Sequence, residues 1–91
     1  MKYYKIRWNR SVSEIQNNNP HLFYYEVGND NYPSRSIEIF DDGKIVRRTS
    51  DDTEFGEMPN LANINGDLQK IFEGTEITKE EYDSEWENYD H

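Results

Sequence analysis

The sequence predicts an α+β domain: an antiparallel sheet of about four strands, short helices after it, and a C-terminal helix packed on the sheet. Three observations predict it. Residues 1–50 are built from alternating or aromatic-rich runs separated by Asn, Gly and Pro, as strands and turns are. Asp41-Asp42-Gly43 stands between two β-prone runs, a hairpin signature. From Thr78 onward the spacing of large apolar residues changes from two to the three and four of a helix.

In KYYKIRWNR, Tyr4, Ile6 and Trp8 alternate with Lys5, Arg7 and Asn9, the period of a strand with one buried face. That predicts a first strand that is central or covered on a face. Asn17-Asn18-Asn19-Pro20 breaks regular structure, because Asn favours turns and Pro restricts the residue before it. HLFYYEV, closed by Gly28-Asn29-Asp30-Asn31, is nearly continuously apolar and reads as a second strand with partners on both faces. SRSIEIFDDGKIVRRT reads as strands three and four. A two-residue loop sets Ile39 opposite Val46 and Glu38 opposite Arg47; a three-residue loop with a Gly bulge sets Ile39 opposite Ile45. Both registers are open to the sequence.

Beyond the polar stretch SDDTEFGEMP, Asn60 is placed to cap a helical turn carrying Leu61 and Ile64 that stops near Asn65-Gly66. DLQKIFEG offers Leu68, Ile71 and Phe72 to one face of a further turn. The final helix has the better signals: Thr78 and Glu81 have the spacing of a capping box, and Glu80 and Glu81 complement the positive end of the macrodipole. Tyr82, Trp86 and Tyr89 then form a stripe at i, i+4 and i+7 that should fix the helix to the sheet. Glu80, Asp83, Ser84, Glu87 and Asp90 are left facing outward.

The whole of residues 1–91 is read as a single domain. A chain this short buries only about 60–65% of the surface of its unfolded state, and its hydrophobic fraction is 33% against 32% charged. Thirteen aromatics, each able to remove about 150–250 Å² from water, make a small core possible. With no cysteine, neither a disulfide framework nor a thiolate metal site is available. No secretory signal or membrane-length apolar run is visible, so a cytoplasmic setting is expected and the Asn9-Arg10-Ser11 sequon carries no meaning there.

The net charge of −9 is unevenly placed: residues 1–50 hold eight Lys/Arg and six Asp/Glu, and residues 51–91 hold two and thirteen. An acidic chain lacks the basic footprint of a nucleic-acid binder, even though aromatics are interleaved with Lys5, Arg7 and Arg10. A basic protein is the partner such a charge distribution suits. Nineteen carboxylates make chance pairs inevitable, so no catalytic pair is assigned. His21 and His91 have no metal-site spacing, and Asp41-Asp42-Gly43 lacks the ligand pattern of a calcium loop. No cofactor, metal site or catalytic residue is expected, and an enzyme is not the reading favoured.

The opening MKYYKIRW, the hairpin SRSIEIFDDGKI, the segment GEMPNLANIN and the ending EITKEEYDSEW together resemble a family of small acidic bacterial proteins found beside polymorphic and contact-dependent growth-inhibition toxins. GDLQKIFEG and RRTSDD depart from that pattern. The resemblance implies a non-enzymatic, cytoplasmic immunity protein that neutralises a cognate toxin domain, a basic nuclease in many such pairs, by direct contact; a monomer is expected over an oligomer. The expected contact residues are Asp51, Asp52, Glu54 and Glu57 before the first helical turn, with Glu80, Asp83, Glu87 and Asp90 on the terminal helix. The rival readings are a regulatory or structural module whose acidity serves solubility, and a small carboxylate-dependent hydrolase.

Overall fold

In the computed structural model, the residues described are 1–9, 19–59, 61–66 and 71–87, with the side chains of 61–63 excluded. They form strands β1 (Lys2–Trp8), β2 (Pro20–Val27), β3 (Pro33–Phe40), β4 (Ile45–Thr49) and β5 (Phe72–Ile77), and helices α1 (Leu61–Gly66) and α2 (Lys79–Glu87). The strands make one antiparallel sheet in the order β4-β3-β2-β1-β5. The sequence reading is thus correct in class and one strand short. β5 begins at Phe72, inside the stretch expected to add a helical turn. Its Phe72 pairs with Trp8 and its Ile77 with Tyr3, and this pairing across most of the chain length overrides the weak local helical spacing. Leu68 and the capping residue Asn60 lie outside the described residues.

The register of the second hairpin is the three-residue one. Ile39 pairs with Ile45, and Gly43 has φ of 87°, the left-handed conformation that closes such a loop. The β2–β3 turn is built in the same way from a different sequence. Phe40 N–H donates to the Lys44 carbonyl as Gly28 N–H does to Tyr32, and Gly43 N–H to Phe40 as Asn31 N–H to Gly28. Lys44 N–H donates to Asp42 Oδ1 as Tyr32 N–H does to Asp30 Oδ1. Asn31, with φ of 66°, takes the left-handed position that Asn tolerates better than most residues.

Both faces of the sheet are covered. On one, Tyr3, Tyr24 and Ile37 form the core with Tyr82 of α2, and Leu22, Ile39, Ile45, Ile77 and Trp86 pack around them. On the other, Ile6 and the rings of Phe23, Tyr25 and Phe72 line a partly open recess together with Met58 and Ile64. β1 was expected to bury only the Tyr4, Ile6, Trp8 face. It instead buries Tyr3 as well, because α2 lies against that end of the strand, with the Tyr3 and Tyr82 ring centroids 5.3 Å apart.

One residue on each outer edge of the sheet has its outward backbone groups satisfied. Gly74 on β5 donates its N–H to Asn65 Oδ1 at 2.8 Å, and its carbonyl accepts from Asn65 Nδ2 at 2.9 Å. One amide of α1 thereby imitates a strand partner. On β4, Thr49 N–H donates to Asp52 Oδ1 at 3.1 Å, while its carbonyl accepts from the N–H groups of Asp52 and Thr53. Exposed edges left open invite pairing with other chains.

Candidate functional site

The registers define two ends of the sheet. Lys2 pairs with Val27, Val27 with Pro33, Arg35 with Thr49 and Tyr3 with Ile77. The β2–β3 turn, the exit from β4 and the exit from β5 therefore share one end. The two segments expected to carry the contact carboxylates, 51–57 and the start of α2, both leave the sheet there.

The first segment is fixed at both of its ends. Asp52 organises the turn after β4, accepting from Thr49 N–H and from Thr53 Oγ1–H at 2.9 Å. These donors, the backbone one foremost, hold its carboxyl below the usual value. Met58 N–H then donates to the Asn31 carbonyl at 2.7 Å, tying the segment to the β2–β3 turn. Between these ties Asp51, Asp52, Glu54 and Glu57 are exposed.

The second segment is set by Thr78. Its Oγ1 accepts from Glu81 N–H at 3.1 Å and its carbonyl from Tyr82 N–H at 3.1 Å, the N-terminal cap the sequence announced. Glu80 and Glu87 are exposed. Asp83 is not displayed as expected. Its Oδ2 accepts from Lys79 Nζ at 2.5 Å and its Oδ1 from Arg35 at 3.3 Å. The Lys79 bond foremost, and the Arg35 bond after it, lower its pKa. The helical period places Asp83 beside Tyr82 on the margin of the buried face, close enough for a sheet arginine to claim it. Asp90 and Tyr89 lie outside the described residues.

Sequence reasoning did not single out the group that holds α2 down. Arg35 on β3 donates through Nε to Glu26 Oε1 at 3.1 Å and through Nη2 to Oε2 at 2.5 Å, a bidentate pair. Ser34 Oγ–H adds a bond to Oε1 at 2.6 Å. The guanidinium carbon lies 4.9 Å from the Tyr82 ring centroid and 4.8 Å from that of Trp86, within cation–π range. The Arg35 bond lowers the Glu26 pKa against the opposing effect of burial, and the same bond raises that of Arg35. The available signal was Glu26 itself, a lone charge in an apolar strand that needs a buried partner. Tyr82 Oη, buried in this interface, has no hydrogen-bond partner among the described residues, and burial raises its pKa.

Among the described residues no group of three or more His, Cys, Asp or Glu is placed to hold a metal ion. His21 Nδ1 lies 3.1 Å from Asp41 Oδ1; His91 lies outside the described residues. No helix among them is long and apolar enough to cross a membrane.

These features define a small α+β domain, one antiparallel sheet with a helix clamped to each face, whose carboxylate-bearing segments emerge at a single end. The chain belongs to the family described as Domain of unknown function (DUF6881), whose model matches residues 2–91. No curated protein and no solved structure matches it.

Proposed function

We propose that this domain is a non-enzymatic binding protein of the immunity type, acting as a cytoplasmic monomer that neutralises a basic toxin domain by direct contact. The observation that carries the reading is the common origin of segment 51–57 and the start of α2 at one end of the sheet. Exposed Asp51, Asp52, Glu54, Glu57 and Glu80 all lie on segments that leave this end of the sheet, although Glu80 stands 23 residues beyond Glu57 in the sequence. Charges of one sign gathered on one side speed encounter with an oppositely charged protein, to about 10⁸–10⁹ M⁻¹s⁻¹ at low salt. Asp83 contributes indirectly, by holding α2 in place through Arg35.

The test is co-expression with the polypeptide encoded by the adjoining gene. The expected result is restored growth of cells poisoned by that polypeptide, together with a purified complex whose association slows as salt is raised. Growth that stays arrested, with no complex at low salt, would refute the proposal.

A further inference from the structure

Ile6, Phe23, Phe72, Met58, Pro59 and Ile64, with Tyr25, enclose a recess of about 230 Å³ on the sheet face opposite α2, partly open to solvent. Small-molecule sites usually span about 300–1,000 Å³, so this recess has the scale of one side chain. Its lining is almost wholly apolar, and such a recess favours an apolar occupant over water. The walls are fixed before any ligand arrives. Met58 is tied to Asn31 through its N–H, and α1 is tied to β5 through Asn65. The rings of Phe23 and Phe72 flank Trp8, at 6.4 and 6.0 Å between centroids.

The recess is joined to the acidic segment by the chain itself. Glu57 immediately precedes the wall residues Met58 and Pro59, and Glu54, Asp52 and Asp51 lie just before it, all exposed. An apolar side chain flanked by acids would meet like charge at this rim, and one flanked by Lys or Arg would meet its complement.

We infer that the recess beneath Met58 and Pro59 is a specificity pocket that receives one apolar side chain presented on the basic surface of the protein partner. The inference deepens, and rests on, the reading of the domain as an acidic binding module. It gives that surface the usual anatomy of a protein interface, an apolar anchor in a pocket surrounded by a polar rim.

The experiment titrates methyl-labelled full-length protein with acetyl-Lys-Lys-Phe-Lys-Lys-amide, with its Phe-to-Ala counterpart, and with acetyl-Glu-Glu-Phe-Glu-Glu-amide. The basic Phe peptide is expected to shift the methyl resonances of Ile6, Met58 and Ile64 saturably. The Ala peptide should act at those methyls roughly tenfold or more weakly, the value of burying an aromatic side chain, while still moving the amides of 51–57. The acidic peptide should leave both sets unmoved. Met58→Trp, which fills the recess, should abolish the methyl shifts; Ile64→Phe serves if that variant does not fold. Equal behaviour of the Phe and Ala peptides at the methyls, with the 51–57 amides still responding, would overturn the pocket and leave the acidic docking surface standing. Silence at both sets from both basic peptides would overturn the pocket and the charge steering together.

Discussion

Arg35 and Glu26 face each other across β3 and β2 as a fork against a fork, with N–O distances of 3.1 and 2.5 Å, under the rings of Tyr82 and Trp86. The helix is held by a cation that its own aromatic rings cover. Arg35→Met alone should destabilise by about 3–5 kcal/mol, because it leaves Glu26 buried and unpaired. Glu26→Gln together with Arg35→Met should recover part of that loss. Urea melts of the three variants check this through the coupling energy; additive losses would mean that the pair does not act as a unit.

Trp86 is half-buried, with the Arg35 and Arg47 guanidinium carbons 4.8 and 5.8 Å from its ring centroid. Trp86→Ala should cost somewhat less than the about 3–5 kcal/mol of a fully buried ring. The far-UV helical signal should fall with stability, and a melting temperature equal to that of the wild type would rule the contact out as an anchor.

Tyr82 presents the opposite case, a buried ring whose hydroxyl finds no partner among the described residues. Tyr82→Phe removes an unsatisfied polar group worth about 1–3 kcal/mol and keeps the ring against Tyr3. Its stability should equal or exceed that of the wild type in thermal denaturation.

The pH profile follows from the signs of the shifts. Glu26 and Asp83 have folded values below the ordinary 4.5 and 3.8, so the unfolded chain binds more protons. Their contribution is complete above those values and is lost as pH falls through and below them. Tyr3 and Tyr82 are raised and Tyr25 is pushed up to about 12, burial being the largest cause in each. Stability should therefore also decline above pH 10, the ordinary tyrosine value. Urea midpoints across pH should show a plateau between these limits, and part of the tyrosinate absorbance should emerge only with unfolding.

Charge reversal separates display from support. Reversing Glu54, Glu80 and Glu87 together should leave the melting temperature nearly unchanged, since all three are exposed and the loss at Glu80 in the first turn of α2 is offset by the gain at Glu87 at its negative end. Association with the proposed basic partner should slow markedly. Asp83→Lys should lower stability instead, by opposing Arg35 and Lys79.

What the sequence made legible was local. The Thr78 cap, the Asp41-Asp42-Gly43 turn and the alternation of β1 each express themselves within a few residues. β5 was missed because Phe72, Gly74 and Ile77 become a strand only beside residues 3–8, and nothing near them in sequence says so. The pairing of Asp83 with Arg35 was not foreseen for a related reason. Helical periodicity gave the direction of its side chain, but the arginine that reaches it belongs to another element. Exposure of the 51–57 carboxylates could be read from composition, whereas their leaving the same end of the sheet as α2 is a product of strand order.

The pairing of Tyr3 with Ile77 also bears on biosynthesis. β1 leaves the ribosome well before β5, and one flank of it stays unsatisfied until β5 has emerged. Closing so long a loop is entropically slow, and the nascent sheet meanwhile offers β1 as an open edge to any passing chain. Synthesis that stalls before β5 should therefore yield a product that aggregates instead of a smaller folded domain.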